Sequence, residues 1–358
     1  MADLEEEVLA RIERQRKLKA RFRDEHITMA HGAGGKTTHT LVEGLFASAF
    51  SNEALDELGD AACLEVDGAM LSFSTDGHVV KPLTFPGGCI GALAVHGTLN
   101  DVAVSGAKPL FLSVAFVIEE GLDADVLREQ VAAMAEAAQK AGVPIVTGDT
   151  KVVERGKCDG MYIVTAGIGL RDPRVSLSSK TIKPGDQILC SGTVADHGTA
   201  IMLARGELEL EADVESDTAP VWELVRALIE SAGSDLRVMR DPTRGGVATV
   251  LNEFAQEANV GMTVDEGAVP VNPVVRGACE ILGIDPMYVA NEGKLIAVVG
   301  PESADAALEA LQSTPGGEQA AIIGNVQEQP EGMVLVRTGF GGTRIMDMLI
   351  GDPLPRIC

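Results

Sequence analysis

Aromatic residues make up only 3 % of this chain, with one tryptophan and two tyrosines among 358 residues. Its core must therefore be built from aliphatic side chains. Positive charge is short as well: 29 lysines and arginines face 53 aspartates and glutamates, a net charge of −24. Such a surface repels phosphate backbones, which argues against nucleic acid as a partner. Any phosphate-bearing ligand has to be small and accompanied by metal ions that cancel its charge. Long apolar runs are missing too, since "LFLSVAFVI" is about half the length of a membrane span. The N-terminus, "MADLEEEVLARIERQRK", has no apolar segment of the secretory kind. There is no CxxC pair and no Cys/His cluster with zinc spacing. These absences lead to the expectation of a cytoplasmic protein without a membrane or nucleic-acid partner.

What is present is a folded-protein composition, 46 % hydrophobic and 23 % charged, with 40 glycines. Cysteines stand at 63, 89, 158, 190, 279 and 358. Five read as small buried hydrophobes of a reducing compartment. The sixth, Cys358, ends the chain in "DPLPRIC" behind two prolines, a place where core packing does not explain a thiol.

Four segments are expected. Residues 1–26 form a charged N-terminal extension, in which Leu4, Val8 and Ile12 suggest a solvated helix or an arm. Residues 27–175 form a first domain. There "AACLEVDGAMLSFSTD" reads as a hairpin around Asp67-Gly68, followed by a helix over 88–104, a strand over 109–118, a helix over 123–141 and the strands "VPIVTG" and "MYIVTAGIGL". That order, β-β-α-β-α-β-β, makes a helix-backed mixed sheet. The polar stretch "SLSSKTIKPGDQ" opens a second α+β domain over 176–350. It carries helices near 197–206, 218–232 and 244–259 and strands near 187–194, 294–299, 319–326 and 332–337. The tail, 351–358, is extended by its prolines.

Several stretches can carry chemistry. "HGAGGKTT" fails as a P-loop because Ala30 stands where the first glycine belongs, yet its glycines can wrap phosphates with backbone N–H groups. Asp60 in "LGDAA", Asp76 in "STDG", Asp101 in "LNDVAVSG" and Asp149 in "VTGDTK" each adjoin an apolar run, where a carboxylate is costly unless a cation meets it. Each alone can be a helix cap or a turn residue; four together suggest a hard cation such as Mg²⁺. Asp241 or Thr243 in "RDPTRGGVATVLNEFA" caps a helix or leaves its N-terminus to an anion. Glu292 in "VANEGK" is either a pocketed base or a turn residue paired with Lys294, and the sequence does not choose.

In this order, "GDAA", "TDG", "NDVAVSGAKP", "VTGDTKV", "DPTRGGVATVLNE" and "NEGK" resemble the superfamily of aminoimidazole ribonucleotide synthetase and selenophosphate synthetase. "HGAGGKT", "FPGGCIGALAVHGTLNDVAVSG", "GDTKVVERG" and the ending "PRIC" resemble, within it, the HypE family of hydrogenase maturation factors, over residues 27–358. The resemblance implies a two-domain PurM-like α+β fold (α/β mixed) and a homodimer, in which four strands of each N-terminal sheet close a shared barrel. It implies that a carbamoyltransferase, HypF, loads a carbamoyl group onto Cys358. ATP then drives its dehydration to a thiocyanate, whose cyano group passes to iron on a HypC–HypD complex for the [NiFe]-hydrogenase centre. Position by position, Asp60, Asp76, Asp101 and Asp149 match the Mg²⁺–ATP carboxylates, and Gly32, Gly34 and Gly35 match the glycine-rich loop. Lys151 and Glu292 match residues flanking the modified thiol, with Glu292 as proton acceptor and Lys151 as charge stabiliser. Extended, the seven tail residues reach roughly 22–25 Å, enough to visit a donor, the ATP site and an acceptor in turn. A selenophosphate synthetase is disfavoured because no cysteine precedes Cys63. Other expectations that remain are another ATP-dependent synthetase of the superfamily, or a scaffold that presents the thiol without catalysis.

Overall fold

The computed structural model describes residues 22–206, 212–349, 351 and 357–358. The expected N-terminal helix or arm lies outside the described residues except for its last part, and so does most of the expected tail. Among the described residues no helix is long and apolar enough to cross a membrane.

Helix α1 (Lys36–Leu41) follows the glycine-rich segment and runs on through a π-helical turn, Val42–Ala47, to Ser48–Phe50. Strands β1 (Ala62–Val66) and β2 (Ala69–His78) form the expected hairpin. Asp67 and Gly68 have φ of 49° and 82°, the left-handed pair that a two-residue turn between twisted strands requires. A short ribbon, β3 (Thr84–Phe85) and β4 (Gly88–Cys89), leads into α2 (Ile90–Val104). Then come β5 (Ala107–Glu119), α3 (Ala124–Ala141), β6 (Ile145–Val153) and β7 (Met161–Arg171). The sheet order is β1-β2-β7-β5-β6, antiparallel except for the parallel β5–β6 pair, so β6 is an outer edge. Beside the four strands implied by the resemblance, β1 adds a fifth.

Helix α2 is apolar on nearly every side because it is wedged between two bodies. Its Leu93, Val95 and Leu99 enter the core under the first sheet, while Ala103 and Val104 enter a core of the second half. Along β7, Met161, Ile163 and Thr165 point to that helix layer, and Val164, Ile168 and Leu170 point away and are exposed. Phe73 and Phe111, each in register with Ile168, are exposed on that side too. One face of the first sheet is thus covered and the other is bare and apolar.

The second half holds β8 (Gln187–Cys190), α4 (Asp196–Ala204), α5 (Trp222–Ala232), β9 (Leu236–Arg240), α6 (Gly246–Ala258), β10 (Gly261–Asp265) and α7 (Pro273–Leu282). It continues with β11 (Ile296–Val299), α8 (Ala304–Gln312), β12 (Ala321–Gln327), β13 (Met333–Arg337) and β14 (Thr343–Met346). Its seven strands order as β14-β13-β10-β12-β8-β11-β9. α6 packs on one face through Val247, Leu251 and Phe254, and α5 and α8 on the other through Leu224, Leu228, Ala307 and Leu311. Strands β9, β10 and β14 and helices α1, α7 and α8 were not anticipated.

Candidate active site

The two halves meet over a group of acids that the fold brings from distant parts of the chain. β2 carries Ser74 and Asp76, and α2 lies across it so that the Ser74 hydroxyl donates to Asp101 at 2.7 Å. Gly97 permits this close approach, since a Cβ there would press on the His78 ring and the Asp76 carboxylate. Asp60, just before β1, is ion-paired with Arg240 at the end of β9 (3.2 Å). Arg240 also holds Glu253 and lies 5.7 Å from the centre of the Phe254 ring. Asp241 follows at once and is buried. It does not cap α6, whose N-cap is Gly245 at φ 84° with no side-chain cap bond.

Burial and mutual repulsion raise the proton affinity of this group. The Asp60 carboxyl is pushed up to about 6 by burial, against the pull of Arg240. Asp101 is raised well above the usual carboxylate range by burial, with Asp241, Asp76 and Asp60 adding to it. Asp241 is raised by burial and by Asp60 and Asp76. Glu292 belongs to the same field: it is 3 % exposed and raised by burial, Asp241, Asp76 and Asp217. It is not the turn residue paired with Lys294, because Lys294 pairs with Asp217 at 3.4 Å. One Glu292 carboxyl oxygen, Oε1, is buried without a hydrogen-bond partner.

Polar side chains with no acid of their own fix this geometry. Asn100 donates to the main-chain oxygens of Ala219 (3.0 Å) and Glu292 (3.2 Å) and accepts from Val221 N–H (2.9 Å). Asn291 donates to the Pro242 carbonyl (2.8 Å) and accepts from Ala195 N–H (2.8 Å). Neither was selected from the sequence. The "LND" and "ANEG" patterns place each amide beside a site acid, and that adjacency was the available signal.

The chain's last two residues lie inside the site. Ile357 is buried in the core that includes Phe85 and Ile90. The Val79 N–H donates to the Cys358 main-chain oxygen at 2.9 Å. The Cys358 thiol lies beside Glu292, and burial raises it far above the ordinary thiol range. Arg244 works against that rise, and Glu292 and Asp76 add to it.

Gly32, Gly34 and Gly35 wrap the start of α6 rather than the carboxylates themselves. Arg244 donates to the Gly32 carbonyl at 2.6 Å, and Thr249 to that of Gly34 at 3.2 Å. Gly34 has φ 74°, and a Cβ there would run into the Arg244 carbonyl. The loop also meets the root of the tail, where Lys36 N–H donates to Leu349 O (3.0 Å) and Lys36 pairs with Asp347 (2.6 Å). Arg244, which the sequence reading passed over, is thereby set among the loop, Glu292 and the thiol.

Asp149 and Lys151 are not brought to this group within one chain. Both project from the edge strand β6, largely exposed, and pair with each other at 2.7 Å. That pairing holds the Asp149 carboxyl below the usual range. From β2, which carries Asp76, to β6 is three strand spacings, roughly 14 Å. The set of four metal carboxylates expected from the sequence is therefore divided, and Asp241 stands with Asp60, Asp76 and Asp101 instead. The expected pairing of Lys151 with Glu292 about the thiol is divided in the same way.

Among the described residues no group of three or more His, Cys, Asp or Glu side chains is arranged to enclose a metal ion. Clustered carboxylates are the oxygen donors that a hard cation prefers. A cavity of about 720 Å³ opens beside Asp60 and Arg240, lined also by Ser105, Ser179 and Met239, and its size suits a nucleotide.

Comparison with known proteins adds independent findings. Residues 58–171 match the N-terminal domain of AIR synthase related proteins, and residues 183–337 match their C-terminal domain. The carbamoyl dehydratase HypE of Rhizobium leguminosarum bv. viciae is 50 % identical over 332 residues, 93 % of this chain and 95 % of that protein. The HypE–HypF complex contains a chain that superposes with a TM-score of 0.82 at 47 % identity, covering 86 % of this chain and 99 % of that one. A hydrogenase maturation protein HypE solved with ATP superposes with a TM-score of 0.77 at 48 % identity, covering 93 % and 100 %.

Proposed function

The chain belongs to the carbamoyl dehydratase HypE family of AIR synthase related proteins, and from that premise we infer that it is an ATP-dependent dehydratase acting on its own C-terminus. Its place is in hydrogenase maturation, and it binds ATP as its solved relative does. The observation that carries the reading is the Cys358 thiol against Glu292, beside the acid group.

The reaction starts from a carbamoyl group on the Cys358 sulfur, delivered by the carbamoyltransferase HypF, the partner of the solved complex. Phosphoryl transfer from ATP to the carbamoyl oxygen turns it into a leaving group. Phosphate then departs with that oxygen, both N–H protons are lost, and the carbon–nitrogen bond becomes the triple bond of a thiocyanate. The products are S-cyano-Cys358, ADP and phosphate. Glu292 takes a proton from nitrogen; burial and its acidic neighbours give it the high proton affinity this demands. Arg244, held at the glycine-rich loop, meets negative charge as it develops.

Mg²⁺ would be held by Asp60, Asp76, Asp101 and Asp241 together with the nucleotide's phosphates, and would supply the charge neutralisation that this acidic cleft lacks. On this reading residues 27–175 bind the nucleotide, 176–350 close the cleft and 351–358 are the carrier. The protein works as a homodimer, which the bare apolar face of the first sheet supports. Asp149 and Lys151 act across that dimer, in the cleft of the second copy. The cyano group passes to a HypC–HypD complex, in the cytoplasm, where the six free cysteines are at home.

Intact-mass analysis with the carbamoyltransferase and carbamoyl phosphate tests the carrier. The native chain gains one carbamoyl group that maps to Cys358, and Cys358→Ser gains none; an adduct retained by Cys358→Ser would assign the carrier elsewhere.

A further inference from the structure

His197 lies in α4, outside the acid group, and is completely buried. Its Nε2 is 2.6 Å from the main-chain oxygen of Ile357, and its Nδ1 is 2.7 Å from the Ser216 hydroxyl. A carbonyl only accepts, so Nε2 carries the proton and Nδ1 accepts from Ser216. Ser216 is itself placed: its N–H donates to Pro86 O (2.8 Å), and its hydroxyl oxygen accepts from Thr218 N–H (3.1 Å). Phe85 stands edge-on to the imidazole, with centroids 5.6 Å apart at 86°, and packs in the same core as Ile357. On the other side, the Val79 N–H holds the Cys358 main-chain oxygen. Burial lowers the His197 proton affinity, which keeps the ring neutral and its two nitrogens distinct.

We propose that His197, Ser216 and Val79 form a receptor for the main chain of the terminal Ile-Cys dipeptide, and that this receptor sets the Cys358 sulfur against Glu292. The receptor touches neither the sulfur nor the reacting carbon, so His197 is a positioning residue. It reads two main-chain oxygens and an apolar side chain, and leaves the sulfur's substituent free to change from thiol to carbamoyl to cyano. Because His197 and Ser216 come from the second half and Val79 from the first, the docked tail ties the two halves together.

The inference deepens the proposed dehydratase reading, and its test does not depend on turnover. Labelling of Cys358 by a neutral alkylating reagent, resolved by peptide mass, measures how often the tail leaves the receptor. His197→Ala speeds labelling roughly tenfold, in line with the loss of one neutral hydrogen bond. His197→Gln, whose amide presents an N–H near the Nε2 position, restores the slow rate. Equal labelling of native and His197→Ala chains would overturn the proposal. A second measurement leaves His197 untouched, comparing its ring-nitrogen resonances in the full chain and in a chain ending at Arg356. The hydrogen-bonded Nε2 proton disappears on truncation; unchanged resonances would also overturn the receptor. In carbamoylated chains, His197→Ala slows loss of water with nucleotide affinity unaltered. A native chain that never loses water while its tail is held would instead refute the dehydratase reading and leave the receptor standing.

Discussion

The Cys358 thiol lies beside the Glu292 carboxyl, so Cys358 joins a site whose other members lie between residues 60 and 292. On the proposed reading, the carrier thiol and its base thus meet within one chain.

Glu292 is buried and shares the field of Asp76, Asp217 and Asp241. Glu292→Gln keeps its size and removes the proton acceptor. The carbamoyl adduct on Cys358 then accumulates, and its dehydration falls by about 10²–10⁴-fold, the usual worth of a positioned base. Nucleotide affinity by calorimetry stays within error of the native value.

The acid group makes the nucleotide-free protein less stable as pH rises. Asp101, Asp241 and Asp60 have folded proton affinities above their unfolded ones, Asp60 at about 6. The folded state therefore binds more protons than the unfolded state at pH values above the ordinary carboxylate range. The stability contributed by that excess is present at low pH and is lost as pH climbs through 6 and beyond. Melting temperature without nucleotide should fall between pH 5 and 8, by about a few degrees. Asp241→Asn should flatten that slope and raise the melting temperature at pH 8, while weakening nucleotide binding.

Asp149 sits on an edge strand away from the cleft of its own chain. Asp149→Ala and Asp101→Asn should each abolish dehydration as homodimers. In a mixed dimer of the two, one cleft receives both native aspartates and activity returns. Complementation would be absent if Asp149 acted within its own subunit.

The bare face of the first sheet is the dimer surface on this account. Ile168→Asp, placed among Val164, Leu170 and Phe73, should shift the protein to monomer in sedimentation velocity and abolish activity. A dimer that survives this change would move the interface elsewhere.

Much of the site was legible because a carboxylate next to an apolar run is conspicuous. Asp60, Asp76, Asp101 and Glu292 stand out for that reason, and Cys358 by its position at the chain end. Asp241 was equally visible, but only as one of two candidate caps, with Thr243, of a helix whose N-terminus could instead take an anion; nothing local reveals that Gly245 takes the cap position with a left-handed backbone. Asp149 carries the same signature as the others. Its separation arises from sheet order, which places β6 outermost, and that order is set by pairing between distant strands. His197 carries no local mark at all, because its partners are a serine 19 residues away and a main-chain oxygen 160 residues away. The hairpin, α2 and α3 were visible through turn chemistry and periodicity. Strand β9, "LRVMR", mixes charge and apolar residues over five positions and shows its role only once Arg240 meets Asp60 and Glu253.

The most direct measurement follows the mass of the carbamoylated protein after isolation from its carbamoyltransferase. With Mg²⁺ and ATP, the adduct on Cys358 should lose one molecule of water and become a thiocyanate; with a non-hydrolysable ATP analogue it should persist. An adduct that keeps its mass in the presence of ATP would contradict the account and leave the protein a carrier of the carbamoyl group alone.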